Sequence, residues 1–211
     1  MTAQTTLFDT TTPDSTPTPA PVVPALPAGP ADPAAPLVIG LDLSLTSTGT
    51  AGEGWADRIY VGDRFRGDIR MDWLEQQVIS YIRHADMVAM EGPSYGHGAM
   101  AGHEELAWLR CAIRLYCHRQ HIPYAVIPPS SLKLYVAGHG KATKGEIRSA
   151  VADRYGIHTE GGGRYDMADA YGVFAAARDW LGFPLAEVPE RQRRALDGCQ
   201  WPDRDTVVTR R

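Results

Sequence analysis

Short apolar runs alternate with longer stretches of helical spacing along most of this chain. Residues 37–43 form a nearly continuous apolar run broken only at Asp42, and residues 86–91 form a second that Gly92-Pro93 stops. Both predict buried strands of the parallel type. A third run, 124–127, is closed by Pro128-Pro129. Thr50-Ala51 and residues 58–61 predict two shorter strands, the first returning antiparallel beside 37–43.

Helical periodicity fills the gaps. Met71, Leu74, Val78 and Ile82 make one buried stripe. In a helix over 104–119, Leu106, Leu109, Ile113 and Tyr116 face a core. Ser130 or Ser131 is placed to cap a short helix over 132–136, which Gly138-His139-Gly140 ends. Thr143 followed by Glu146 is a capping-box pattern for a helix reaching Tyr155-Gly156. A Gly161-Gly162-Gly163 loop then delivers the chain to a helix over 166–181, stopped by Gly182-Phe183-Pro184. A meander followed by alternating strands and helices predicts an α/β domain, a mixed central sheet with helices on both faces.

Composition divides the chain. Residues 1–36 hold nine of the 16 prolines and no lysine or arginine, so this segment has too little apolar surface to offset the entropy of ordering it. We expect a disordered Pro/Thr/Ala-rich tail over 1–36, one domain over 37–185, and a basic, irregular extension over 186–211. The net charge is −4, but three acids lie in the tail, which leaves the rest near −1. Between Lys133 and Arg154, five basic residues (Lys133, Lys141, Lys144, Arg148 and Arg154) face two acids. Positive charge therefore gathers late in the chain, where a phosphate backbone can be met.

Cys111, Cys117 and Cys199 form no close CxxC pair, which argues against a zinc site or a disulfide framework and fits a reducing compartment. Cys111 and Cys117 read as small core residues of an apolar helix. The apolar runs are too short for a membrane span, and no basic patch and apolar run mark a secretory leader. Neither secretion nor a transmembrane segment is expected.

The chemistry lies in four acids set among apolar residues, where a carboxylate is costly without a partner. Asp42 and Glu91 fall at the carboxyl ends of predicted central strands, and neighbouring strands would point both into one crevice. Asp166 and Asp169 are three apart at a helix start and share a face. Four unneutralised carboxylates would repel each other and raise at least one pKa. Divalent cations remove the conflict, and oxygen-only ligation selects Mg²⁺ or Mn²⁺ over zinc. Two such ions at roughly 4 Å suit hydrolysis of a phosphodiester, one activating water and the other stabilising the leaving oxygen.

Four segments in order carry a family resemblance. Ile39-Gly40-Leu41-Asp42-Leu43-Ser44-Leu45-Thr46-Ser47-Thr48-Gly49 and the acidic strand ending at Glu91 are followed by Pro129-Ser130-Ser131-Leu132-Lys133 with Gly138-His139-Gly140-Lys141-Ala142-Thr143-Lys144. Asp166-Met167-Ala168-Asp169-Ala170 completes the set. The sequence resembles the RuvC family of Holliday junction resolvases, within the RNase H-like superfamily. The resemblance implies an RNase H-like fold and a homodimer that cuts a four-way DNA junction by paired hydrolysis with Mg²⁺. Carried over by position, Asp42, Glu91, Asp166 and Asp169 are the metal ligands, with Lys133 and Lys144 at the scissile region. Lys141 and Arg148 would add DNA contacts. Tyr95 is the nearest candidate for the aromatic that probes the junction centre, although Gly92-Pro93 follows the acid and Tyr95 stands one place beyond the family's spacing. The compact, divergent form suits a phage-encoded nuclease working in its host's cytoplasm.

Three other readings use the same residues. A less selective nuclease for forks and flaps keeps the acids, whereas a non-catalytic DNA-binding scaffold keeps Lys133, Lys144 and the basic C-terminal tail and does not need all four acids. Asp42 with its Ser/Thr-rich turn also resembles the first phosphate-binding segment of sugar-kinase and actin-like ATPases, but those need a second related domain, for which this chain is too short.

Overall fold

The structure, a computed structural model, describes residues 34–94 and 102–208. Five strands form one mixed sheet: β1 Val38–Asp42, β2 Ser47–Gly52, β3 Trp55–Tyr60, β4 Met87–Glu91 and β5 Tyr124–Ile127, in the order β3-β2-β1-β4-β5. The β1-β2-β3 meander is antiparallel, while β4 and β5 pair in parallel on the other side of β1. Parallel neighbours need crossovers, and helices α1 Gly67–Ile82 and α2 His103–Arg119 supply them.

The period of two along each strand divides the core into two layers. Ile39, Leu41, Val88 and Met90 pack under α1 and α2, against Leu74, Val78, Leu109 and Ile113. Val38, Met87, Ala89 and Ala125 face the other way, toward α3 Pro129–Ala137, α4 Lys144–Tyr155 and α5 Arg164–Trp180. Helix α5 is buried nearly throughout because Ala168, Ala170, Ala175, Ala176 and Ala177 let it lie flat on the sheet. By the same alternation, Asp42 and Glu91 emerge on the α5 side.

Four local expectations are corrected. Helix α3 begins at Pro129, not at a serine cap: Pro128 is the N-cap, and Pro129 brings the fixed φ and missing N–H that suit a first turn. The three glycines form a 3₁₀ turn, Gly161–Gly163, that runs directly into α5. In α2 the buried stripe is Leu109, Ile113 and Cys117, at a spacing of four, which leaves Cys111 exposed and Leu106 and Tyr116 at the margin. The residues after Pro189 are not irregular. They form a short helix, α6 Glu190–Arg193, bury Leu196, and stack Trp201 on Trp180 with ring centroids 4.6 Å apart. Gln200 then bridges to Val126 and covers the outer edge of β5, a surface that otherwise invites pairing with another chain. Among the described residues, no helix is long and apolar enough to cross a membrane.

Candidate active site

Strand register brings the first two acids together. β1 and β4 pair in parallel with Leu41 opposite Met90, so Asp42 and Glu91, one residue further on, end adjacent strands side by side. The third acid arrives because α5 can approach the sheet closely. A Cβ on Gly40 would fall far inside contact with the carbonyl oxygen of Ala170, and one on Gly49 would do the same to that of Asp166. Only glycine leaves that space. The close approach lowers Asp169 onto the strand ends, where one carboxylate oxygen from each of Asp42, Glu91 and Asp169 lies within 4.8 Å of the others.

Asp166, one turn earlier on α5, lies beside this trio rather than inside it. Lys144 stands over the two helix acids, its Nζ 3.4 Å from Asp166 Oδ1 and 3.8 Å from Asp169 Oδ2. The lysine is held there by the capping box that opens α4: the Glu146 N–H donates to Thr143 Oγ1 at 3.3 Å, and the Thr143 N–H donates to Glu146 Oε2 at 2.7 Å. Lys133, half-buried on α3, is near enough for its charge to act on Asp169. Lys141 is exposed on the loop before α4. Arg148 points its Nε elsewhere, donating to the Thr159 carbonyl at 2.7 Å and tying α4 to the segment that leads into α5. Tyr95 lies outside the described residues.

The electrostatics are those of crowded acids that the nearby lysines only partly offset. Burial raises the Asp42 carboxyl well above its ordinary value, and the Glu91 carboxylate beside it adds to the rise. Glu91 is itself raised by burial and by Asp169. Asp169 is pushed up to about 7, by burial first and then by Asp42. Burial alone would lower the Lys144 ammonium, but Asp169, Asp42 and Asp166 outweigh it and raise it. All the converging donors are carboxylate oxygens, which suits a hard divalent cation, and their raised pKa values are the cost that such a cation would remove.

Two contributors had no signal in the sequence. Arg110 on α2 is near enough for its charge to lower the Glu91 carboxyl, and nothing in its spacing marks it as part of this site. The turn after β1 is fixed by Thr48, whose Oγ1 accepts from the Ser44 N–H at 3.0 Å and donates to the Ser44 carbonyl at 2.8 Å. That buried threonine keeps the segment after Asp42 closed and short.

The fold has known counterparts. RuvC of Thermus thermophilus superposes with a TM-score of 0.54 at 18% identity, covering 72% of this chain and 99% of that one. T. thermophilus RuvC in complex with a Holliday junction substrate gives 0.55 at 18% identity, covering 73% and 99%. No protein-family model matches the chain, and no curated protein matches it either. The architecture is therefore RNase H-like, as the motifs implied, with the mixed five-stranded sheet flanked by helices.

Proposed function

We propose that this chain is a Mg²⁺-dependent, structure-selective endodeoxyribonuclease that resolves four-way DNA junctions, with Mn²⁺ able to replace Mg²⁺. The observation that carries this reading is the convergence of Asp42, Glu91 and Asp169, from two strands and a helix distant in sequence, to within 4.8 Å. A fold gains no stability from gathering buried carboxylates, so their convergence points to a cation and to chemistry. Asp42, Glu91 and Asp169 hold the metal, and Asp166 extends the ligand set toward the solvent side. When bound, the metal supplies an activated water and charge stabilisation at a phosphodiester.

The chain's own residues do the rest. Lys144, and Lys133 behind it, hold positive charge beside the reacting phosphate, which lysine does well as a compact point charge. Asp169 is buried and Asp42 and Glu91 are partly so, which limits bulk water and strengthens each charge–charge interaction. Residues 37–185 form the nuclease unit, with 1–36 a spacer and 186–211 an extension of it. Two nicks in strands of like polarity need two such sites, so the working form is a homodimer.

The test is cleavage of an end-labelled synthetic four-way junction with Mg²⁺, comparing wild type with Asp42→Asn and mapping both nicks. Paired, symmetry-related nicks that vanish in the variant support the reading. Equal cutting of forks and flaps makes the enzyme a general branched-DNA nuclease, and binding without cutting under either metal leaves only a DNA-binding scaffold.

A further inference from the structure

The carboxyl edge of the sheet carries a second feature, on the side away from Glu91. Cross-strand register aligns Asp42 with Gly49 and Gly49 with Arg58, so the three residues lie on one line across β1, β2 and β3, with side chains on the α5 face. At about 5 Å per strand, Arg58 stands about 10 Å from Asp42. Its side chain lies over the 3₁₀ turn that opens α5, where a Cβ on Gly162 would come within 2.8 Å of the Arg58 guanidinium. Tyr60, two residues on, ends β3 at the same edge as Asp42 and Glu91 and is 59% exposed. The Arg58 guanidinium carbon sits 4.8 Å from the Tyr60 ring centroid, and Arg164 sits 4.6 Å from that of Tyr165, immediately before Asp166.

Neither arginine is neutralised. Among the described residues, Arg58 and Arg164 form no ion pair with a carboxylate. An exposed tyrosine with a guanidinium on its ring, on an edge strand, adds little to the core. An aromatic face that accepts a base, set beside cations that meet phosphates, is the usual combination for an unpaired strand. We infer that Arg58, Tyr60 and Arg164 form a track that binds the single-stranded DNA segment flanking the scissile phosphate. A base stacks on Tyr60, and the two arginines hold the adjoining backbone. This rests on the nuclease reading for its orientation but not for its test.

The measurement is fluorescence anisotropy of a labelled oligothymidylate with the full chain in EDTA, alongside junction cleavage in Mg²⁺. Tyr60→Ala weakens oligothymidylate binding roughly tenfold, while Tyr60→Phe, which keeps the ring, binds as wild type does. Arg58→Ala lowers the slope of log affinity against log salt by about 0.7 for a single lost phosphate contact, and Arg58→Lys restores the slope. Tyr60 is exposed at a strand end, so its variants report on binding rather than on folding. If wild type does not bind the oligonucleotide, or if Tyr60→Ala and Arg58→Ala both bind as wild type does, the track is disproved, whatever the cleavage result. If the variants weaken binding as stated but wild type never cuts, the track stands and the nuclease reading fails.

Discussion

The backbone of Gly49 on β2 presses directly on the carbonyl of Asp166 at the start of α5, with no room between them for a methyl group. One turn later, Gly40 makes the same kind of contact with Ala170. These two contacts set the height of α5 above the sheet, and that height decides whether Asp169 reaches Asp42 and Glu91.

Gly49→Ala therefore tests the site through a residue that carries no chemistry. The obstacle is backbone, not a flexible side chain, so α5 must move. We expect a loss of about 1–3 kcal/mol in stability, measured by urea denaturation. Cleavage at saturating Mg²⁺, in the population that remains folded, falls further, by about 10²-fold, because misplacing the ligands by an ångström is costly. A variant that loses stability but keeps its full rate would show that the α5 height does not control the acids.

Thr143→Ala removes the cap that sets the direction of Lys144. It costs about 1 kcal/mol, and Thr143→Ser, which keeps the hydroxyl, costs little. Because the lysine is the first residue of the helix, the alanine variant is also expected to lose kcat in steady-state cleavage while the serine variant keeps it. Equal rates for both would detach the cap from function.

Lys144→Met separates two roles for one cation. With that ammonium gone, the nearest competing charge at Asp166 and Asp169 is removed, and Mg²⁺ binds more tightly in a calorimetric titration. Cleavage nevertheless drops by about 10²–10³-fold, the size of effect seen when a single charge stabiliser is removed from a transition state. Weaker metal binding in this variant would instead make Lys144 an organiser of the acids.

What could be read from the sequence followed the range of the interaction involved. Strands β1 and β4, the capping box at Thr143 and the pairing of Asp42 with Glu91 depend on local periodicity and neighbouring register, and the structure has them where the pattern put them. Strands β2 and β3 each begin three residues earlier than expected, because Ser47, Thr48 and Gly49 pair with β3 instead of forming a turn. The stacking of Trp201 on Trp180 and the bridge from Gln200 to Val126 join distant segments, and no spacing announces either. Cys111 was misplaced because an apolar helix face is wider than its buried stripe, whose spacing of four passes through Cys117 instead. At the site, the acids were visible as carboxylates among apolar neighbours. Their inequality was not: Asp166 stays at the rim because the close contacts at Gly40 and Gly49 favour Asp169.

The strongest test of the cation uses pH and stability, with no DNA present. Asp169 is pushed up to about 7, by burial and then Asp42, from an ordinary 3.8, and Asp42 and Glu91 are raised as well. The folded protein thus holds these protons more tightly than the unfolded chain does. Their contribution to stability is fully present below the ordinary carboxylate range and is lost as pH rises through about 7. Without divalent cations, the melting temperature should fall between pH 5 and pH 8, beyond any change in an Asp169→Asn control, whose profile is flatter. Added Mg²⁺ does little at pH 5, where protons occupy the site, and restores most of the loss at pH 8, where it replaces them. If Mg²⁺ shifted the melting temperature equally at both pH values, or shifted the Asn variant as much as wild type, the ion would be binding somewhere other than these acids.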